Sequence, residues 1–287
     1  MTTDQLRPAE TPRIYAVPGG NGVRLHVREW GRPDGPAILL VHGWSQGLTC
    51  WRHQVEGDLA AQCRVVALDI RGHGMSERPR EADAYQDANL WAMDIAAVLD
   101  QLELQRPVLV GWSYGGSIIA DYLRVFGQGA IAAVNLVGAA MILNDHFDHI
   151  GPGLLDNVEG ACSPDLTTGI TAVRHFLRAC TVEAMDPDDW DSALCTNMVV
   201  RPDVRAALLA RHIDCDDVLA KLTVPVLVSH GMRDTLILPS MAEHVVSACP
   251  SAVASWYDDV GHAPFLERPL RFDRELLDLV RRANVPH

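Results

Sequence analysis

No stretch of this 287-residue chain approaches the roughly 18–20 consecutive apolar residues that a membrane-crossing helix requires. The first residues, MTTDQLRPAETPR, are polar and hold no apolar core of a secretion signal, so a cytoplasmic location is expected. Positive charge is scarce: 24 Lys and Arg stand against 37 Asp and Glu, a formal net charge of −13. Phosphate backbones and anionic membrane surfaces repel such a chain on average, which sets nucleic acid and membrane aside as partners. No block of like charge marks an interaction tail, and oligomeric state is not readable. Internal repeats, low-complexity segments and Cys-x-x-Cys pairs are all missing. The seven cysteines (Cys50, Cys63, Cys162, Cys180, Cys195, Cys215 and Cys249) are odd in number and scattered, so reduced and mostly buried thiols are expected. A Cys180–Cys195 disulfide is the alternative, opposed by a reducing compartment. The one His-x-x-His, His146 to His149, lies in a polar stretch and reads as loop; no metal and no organic cofactor is implied.

What is present is ample apolar sequence. Apolar residues make up 48% of the chain, enough for one large α/β domain or a domain with an inserted piece. Residues 13–17 and 22–30 alternate apolar and polar around Gly-Gly-Asn-Gly, which predicts an antiparallel hairpin. Continuous apolar runs follow at Ala37–Val41, Arg64–Ile70, Pro107–Val110, Ile131–Val137, Pro225–Ser229 and Ala252–Tyr257. Runs of this length suit strands of a mostly parallel sheet buried on both faces. Helical periodicity fills the gaps. Ala88–Leu104 places Leu90, Met93, Ala97, Val98 and Leu102 on one stripe, Ser117–Phe126 and Met241–Ala248 read as helices, and Phe272–Arg282 reads as an amphipathic helix with its charges outward. The expected fold is therefore α/β: an eight-stranded, doubly wound sheet with an N-terminal antiparallel hairpin. Residues 141–212 break the rhythm, with helical pieces such as Gly169–Cys180 and Pro202–Arg211 and no strand-like run. Residues 1–140 and 213–287 are expected to form the core, and 141–212 an inserted helical cap at the carboxyl edge of the strands, where ligands bind in open α/β sheets.

Chemistry concentrates at the strand ends. Gly111-Trp112-Ser113-Tyr114-Gly115 matches G-x-S-x-G between a strand and a helix, so Ser113 is the candidate nucleophile. Lifting a serine above the sheet needs a sharp turn, which strains its backbone by roughly 1–3 kcal/mol. The turn also crowds positions 111 and 115, hence the glycines, while Gly116 lets the helix pack close. The N–H of Tyr114 and that of Trp44, after the His42-Gly43 strand end, are the candidate oxyanion donors. His42 and His73 read as loop-holding histidines. Of the twelve histidines, His262 in Val260-Gly261-His262-Ala263-Pro264 is the candidate base, held on a glycine-flanked loop past the last strand. Asp234 follows strand 225–229 and is the candidate orienting acid, with Asp258 and Asp259 as rivals. Position along the chain predicts a pocket lined by His42, Trp44, Tyr114, Phe147 and Phe176.

Four signatures stand in register: His42-Gly43-Trp44; Asp69-Ile70-Arg71-Gly72-His73-Gly74-Met75-Ser76; Gly111 to Gly116; and Gly261-His262 followed by Glu267-Arg268-Pro269. Over essentially its whole length the chain resembles α/β-hydrolase fold enzymes. The Asp-x-Arg-Gly-His-Gly-x-Ser run resembles the branch that holds esterases, cofactor-free haloperoxidase-like perhydrolases, ring-cleavage product hydrolases, epoxide hydrolases and haloalkane dehalogenases. The resemblance implies a helical cap at 141–212 and structural roles for Asp69 and Arg71. Serine at 113 departs from the aspartate nucleophile of dehalogenases and epoxide hydrolases, Ala263 from the tryptophan common in ring-cleavage hydrolases, and Tyr114 from the methionine typical of the haloperoxidase-like group.

Three functions follow, each on a small-molecule substrate or ligand. The first is ester, lactone or thioester hydrolysis through an acyl-enzyme on Ser113. The second is C–C bond hydrolysis, lyase or cofactor-free oxygenase chemistry by a His262–Asp234 dyad with Ser113 positioning substrate. The third is a slow-turnover ligand receptor on the same frame.

Overall fold

The computed structural model describes residues 11–143 and 148–284. The N-terminal hairpin pairs β1 (Arg13–Pro18) with β2 (Arg24–Gly31) across a turn in which Asn21 and Gly22 take positive φ. Six further strands complete one sheet: β3 (Ala37–Val41), β4 (Arg64–Asp69), β5 (Val108–Trp112), β6 (Ala133–Val137), β7 (Val226–Gly231) and β8 (Ala252–Tyr257). Their order is β1-β2-β4-β3-β5-β6-β7-β8, antiparallel at β1/β2 and β2/β4 and parallel from β4 to β8. Every residue of β3, β5 and β6 is buried, as continuous apolar runs require when both faces are covered.

Period-two alternation sorts these strands between two cores. Leu39, Val41 and Leu109 face one core with Ile118 and Val98; Ile38, Leu40 and Val110 face the other with Trp51, Phe265, Phe272 and Leu276. Helix α1 (Ala88–Gln101) packs on α2 (Tyr114–Phe126) over the first face. The buried side of α1 is Trp91, Ala92, Asp94, Ile95, Val98 and Leu99, while Met93 is 46% exposed. This corrects the expected stripe. Asp94 sits inside because Arg71 meets it at 2.7 Å, and hydropathy alone places an aspartate outside.

The register aligns the carboxyl ends. Val41 pairs with Gly111, Trp112 with Val137, Val137 with Ser229, and Gly231 with Tyr257. The loops carrying residues 42–46, 113, 138–140, 232–238 and 258–263 therefore leave one rim. Between β6 and β7 the described residues form α3 (Pro152–Ala161), α4 (Leu166–Ala179), α5 (Pro187–Val199) and α6 (Pro202–Leu209), followed by a single turn of helix at Asp216–Leu219. A two-residue antiparallel ladder, Ile142–Leu143 with Ile213–Asp214, ties the outgoing and returning strands together. The sequence expectation of no strand between 141 and 212 misses Ile142–Leu143, since two residues leave no periodicity to read. After α7 (Pro239–Ala248), α8 (Pro269–Ala283) closes the second face. It buries Asp273 among Phe272, Leu276 and Leu279, against the expectation that its charges all point outward. All seven cysteines are free, with Cys180 buried and Cys195 exposed.

Candidate active site

The turn after β5 is the most constrained backbone of the rim. Ser113 has φ 54° and ψ −120°, a conformation that costs a non-glycine residue roughly 1–3 kcal/mol. A Cβ on Gly111 would meet the Gly116 nitrogen at 2.7 Å, and one on Gly115 would meet the Val41 carbonyl oxygen at 2.3 Å. Gly116 lies against Ala139, 2.6 Å from where its Cβ would stand. Three backbone bonds hold the serine: its N–H donates to Val137 O at 2.9 Å, and its carbonyl accepts from Gly116 N and Ala140 N, each at 3.0 Å.

His262 arrives from the loop after β8. Its N–H donates to Cys180 O at 2.9 Å, and its carbonyl accepts Trp112 Nε1 at 2.9 Å. The imidazole fits beside Gly138 (φ 47°), where a Cβ would come within 3.0 Å of Nδ1. Nδ1 lies 2.7 Å from Asp234 Oδ2. Asp234 Oδ1 accepts the N–H groups of Leu236 and Ile237 at 2.8 and 3.0 Å, which fixes the carboxylate's orientation. A carboxylate only accepts, so Nδ1 carries the proton and Nε2 is the free basic nitrogen. Ser113 and His262 thus flank the same short stretch, Val137-Gly138. The rival Asp259 instead pairs with Arg268 at the surface.

Residue 43 must be glycine too: its Cβ would stand 2.9 Å from Ser113 Cβ. Among the described residues, the N–H groups of Trp44 and Tyr114 have no hydrogen-bond partner in the protein, and both adjoin Ser113. His42 is buried and does not line the cavity. Its Nδ1 donates to Gly43 O at 2.8 Å while its Nε2 accepts Ile70 N at 3.1 Å. His73 likewise bonds Arg71 O and accepts the N–H of Ser45. Burial lowers both imidazole pKa values, His73 the more strongly, so these rings are neutral loop supports. Asp69 binds the N–H of Leu48 at 2.8 Å and of Met75 at 3.0 Å, holding the same turn.

Beside Ser113 lies a small, largely enclosed cavity. Trp44, Tyr114, Ala140, Leu143, Leu154, Phe176, Leu209 and Ile237 are among the residues that line it. Phe147, the other pocket candidate, lies outside the described residues, as does His146. The Tyr114 hydroxyl turns away, donating to Leu208 O and accepting from Arg211, and burial raises its pKa. Apart from Ser113, the lining side chains are apolar or turn their polar atoms away, the Trp44 indole N–H to Arg205 O and the Tyr114 hydroxyl to Leu208 O.

The sequence pattern that defines the alpha/beta hydrolase fold family matches residues 36–269. The chain belongs to this family. Among solved structures, a putative aryl esterase from Burkholderia cenocepacia superposes with a TM-score of 0.89 at 35% identity, over 94% of this chain and 99% of that one. The esterase RhEst1 from Rhodococcus sp. ECU1013 gives 0.87 at 35% identity, over 93% and 98%. A non-heme chloroperoxidase from Streptomyces lividans is 27% identical over 92% of this chain and 99% of its own length. The protein is a hydrolase of the alpha/beta fold, and no helix among its described residues is long and apolar enough to cross a membrane.

Several residues that build the rim of this alpha/beta hydrolase carry no role in the sequence reading. Glu267 accepts Gly261 N at 2.7 Å with one oxygen, and Val182 N and Glu183 N at 2.8 and 3.2 Å with the other. It thereby ties the His262 loop to the α4–α5 connection. The Glu-Arg-Pro spacing after Gly-His is the signal that marks it. Gly138 and Arg205 leave no such signal: a glycine at a strand end and an arginine on a short helix are ordinary in sequence.

Proposed function

We propose that this hydrolase cleaves carboxylic esters, with lactones and thioesters as chemical relatives, through an acyl-enzyme on Ser113. The 2.7 Å bond from His262 Nδ1 to Asp234 is the observation that carries the reading, because it leaves Nε2 basic at the rim that presents Ser113. Ser113 Oγ attacks the carbonyl carbon as Nε2 takes its proton. The N–H groups of Trp44 and Tyr114 receive the oxyanion, each worth roughly 2.7–4 kcal/mol in such sites. His262 returns the proton to the leaving alcohol. Water, activated by the same imidazole, then releases the acid and restores the serine. Asp234 holds the imidazole in the working tautomer and balances the imidazolium.

Residues 141–212 act as a cap: Leu143, Ile150, Leu154, Phe176 and Leu209 meet the core across the cavity. An apolar lining leaves a charged group unpaired, so the group seated in it is neutral, an aliphatic or aromatic acyl or alcohol part.

The test is covalent. A serine-directed phosphonate labels Ser113 at one equivalent, and Ser113→Ala loses p-nitrophenyl ester turnover by roughly 10⁴-fold or more. Label on another residue, or appreciable turnover in Ser113→Ala, would sink the proposal and favour proton transfer by His262 and Asp234 alone.

A further inference from the structure

Three arginines are buried among the described residues. Two meet a carboxylate: Arg71 lies 2.7 Å from Asp94, and Arg211 lies 2.6 Å from Asp121. Arg205, on α6 and 1% exposed, does not. Its Nε donates to Ser45 Oγ at 2.8 Å, one terminal nitrogen donates to Ala161 O at 2.7 Å, and the other donates to Asn197 O at 2.5 Å. All three acceptors are neutral. Burial lowers its pKa to about 10, so the guanidinium is still charged near neutral pH. A buried charge without a counter-ion is costly, and such groups are uncommon unless something draws on the charge.

Its location suggests what that is. Ser45 follows Trp44 and sits at φ 63°, left-handed for a non-glycine residue. Its N–H is taken by His73 and its hydroxyl by Arg205. The Trp44 indole N–H donates at 3.1 Å to the backbone carbonyl of Arg205 itself. One residue of α6 therefore grips both side chains of the Trp44-Ser45 pair. Through Ala161 and Asn197 it also gathers the end of α3 and the last turn of α5.

We propose that Arg205 is a positioning residue for the oxyanion site: by holding the Trp44 indole and the Ser45 hydroxyl it fixes the loop that carries the Trp44 N–H. The proposal rests on the assignment of Trp44 N–H as an oxyanion donor. It makes the seating of the helical segment a condition for transition-state binding. An interaction of this kind acts on the developing anion more than on the neutral ester, so its loss falls on kcat.

Arg205→Gln should lower kcat for p-nitrophenyl esters roughly 10- to 100-fold, with KM within about threefold of the parent, and slow phosphonylation of Ser113 in proportion. Arg205→Lys keeps the charge without the fork and should fall between the two. Ser45→Gly removes the hydroxyl acceptor, tolerates φ 63°, and should lower kcat in the same sense even if the Arg205 variants fail to fold. A folded Arg205→Gln with kcat within twofold of the parent overturns the proposal. So does Arg205→Lys no better than Arg205→Gln, or Ser45→Gly at full kcat. In each of those cases continued labelling of Ser113 leaves the acyl-enzyme reading standing. Loss of labelling in the unmodified protein, with the Arg205 effects still present, would instead remove the acyl-enzyme and keep the positioning role.

Discussion

The Asp234–His262 pair shows how little an acid–base arrangement of the proposed kind asks of each residue and how much of its surroundings. The carboxylate is fixed by two N–H groups of its own loop, and the imidazole by one bond at Nδ1, one at its backbone N–H and one at its carbonyl. Asp234→Asn keeps the volume but offers an N–H where His262 needs an acceptor. We expect kcat to fall roughly 10³- to 10⁴-fold with little change in melting temperature, measured on p-nitrophenyl esters and by thermal unfolding. Retention of more than a tenth of the parent kcat would disconnect Asp234 from the base. Asp273 presents a different residue-scale effect. Its carboxyl is buried on α8 with Gln54 Nε2 as the only side-chain donor among the described residues, and burial raises its pKa to about 7. Its pKa is about 3.9 in an unfolded chain. Below that value the group is neutral in both states and its contribution is complete. As pH rises toward 7 the unfolded chain gives up the proton first, so stability falls through this window and levels off above it. Asp273→Asn, which keeps the oxygen facing Gln54, should be more stable than the parent above pH 7 by about 1–3 kcal/mol and lose that advantage toward pH 4. Urea titrations across this range check it; a pH-independent difference would count against a buried neutral carboxyl.

Elements matter here mainly through their ends. The carboxyl termini of β3, β5, β6 and β7 are brought level by the parallel register, and each then delivers one loop of the candidate site. The β8 loop differs, since it bears the imidazole and is fastened by a residue beyond it. Glu267 spans Gly261 and the 182–183 backbone, so one carboxylate couples the His262 loop to the connection between α4 and α5. Charge-assisted bonds of this kind are worth more than neutral ones, at roughly 1.5–3 kcal/mol each in favourable settings. Glu267→Ala should cost about 1–3 kcal/mol in chemical denaturation and lower kcat more than it raises KM, because the imidazole gains freedom. Unchanged kcat alongside lost stability would show that the loop holds its position without this carboxylate.

At the scale of the whole molecule, the cavity belongs to neither layer alone. Trp44, Ser113 and Tyr114 form its floor from the sheet rim, while Leu143, Leu154, Phe176 and Leu209 come from the helical segment. Trp44 and Phe176 meet edge to face at 5.2 Å, closing one side. Phe176→Ala opens that side and should shift the p-nitrophenyl ester chain-length optimum upward by several carbons, at a stability cost of about 3–5 kcal/mol for a buried aromatic. An unaltered chain-length profile would place the acyl group elsewhere in the fold.

Much of this is legible in the chain because it is local. A G-x-S-x-G between an apolar run and a helix, a His-Gly at one strand end and a Gly-His at another each state their geometry within a few residues, since glycine there is dictated by backbone crowding. The order of strands along the sequence likewise follows from apolar runs bounded by turns. Other features depend on distant neighbours. Asp94 lies on the buried face of α1 only because Arg71 reaches it, and Asp273 on that of α8 where Gln54 meets it. Gly138 matters only because His262 comes to rest beside it. Arg205, whose guanidinium meets only neutral acceptors among the described residues while its carbonyl takes the Trp44 indole, is of the same kind. The amino-acid sequence by itself determined the strands, the strained serine turn and the residue types at the rim, because backbone sterics act over a handful of positions. Only the tertiary structure decided which helix lies over the rim, which groups line the cavity and which buried charges find partners, because desolvation and packing are properties of neighbours in space.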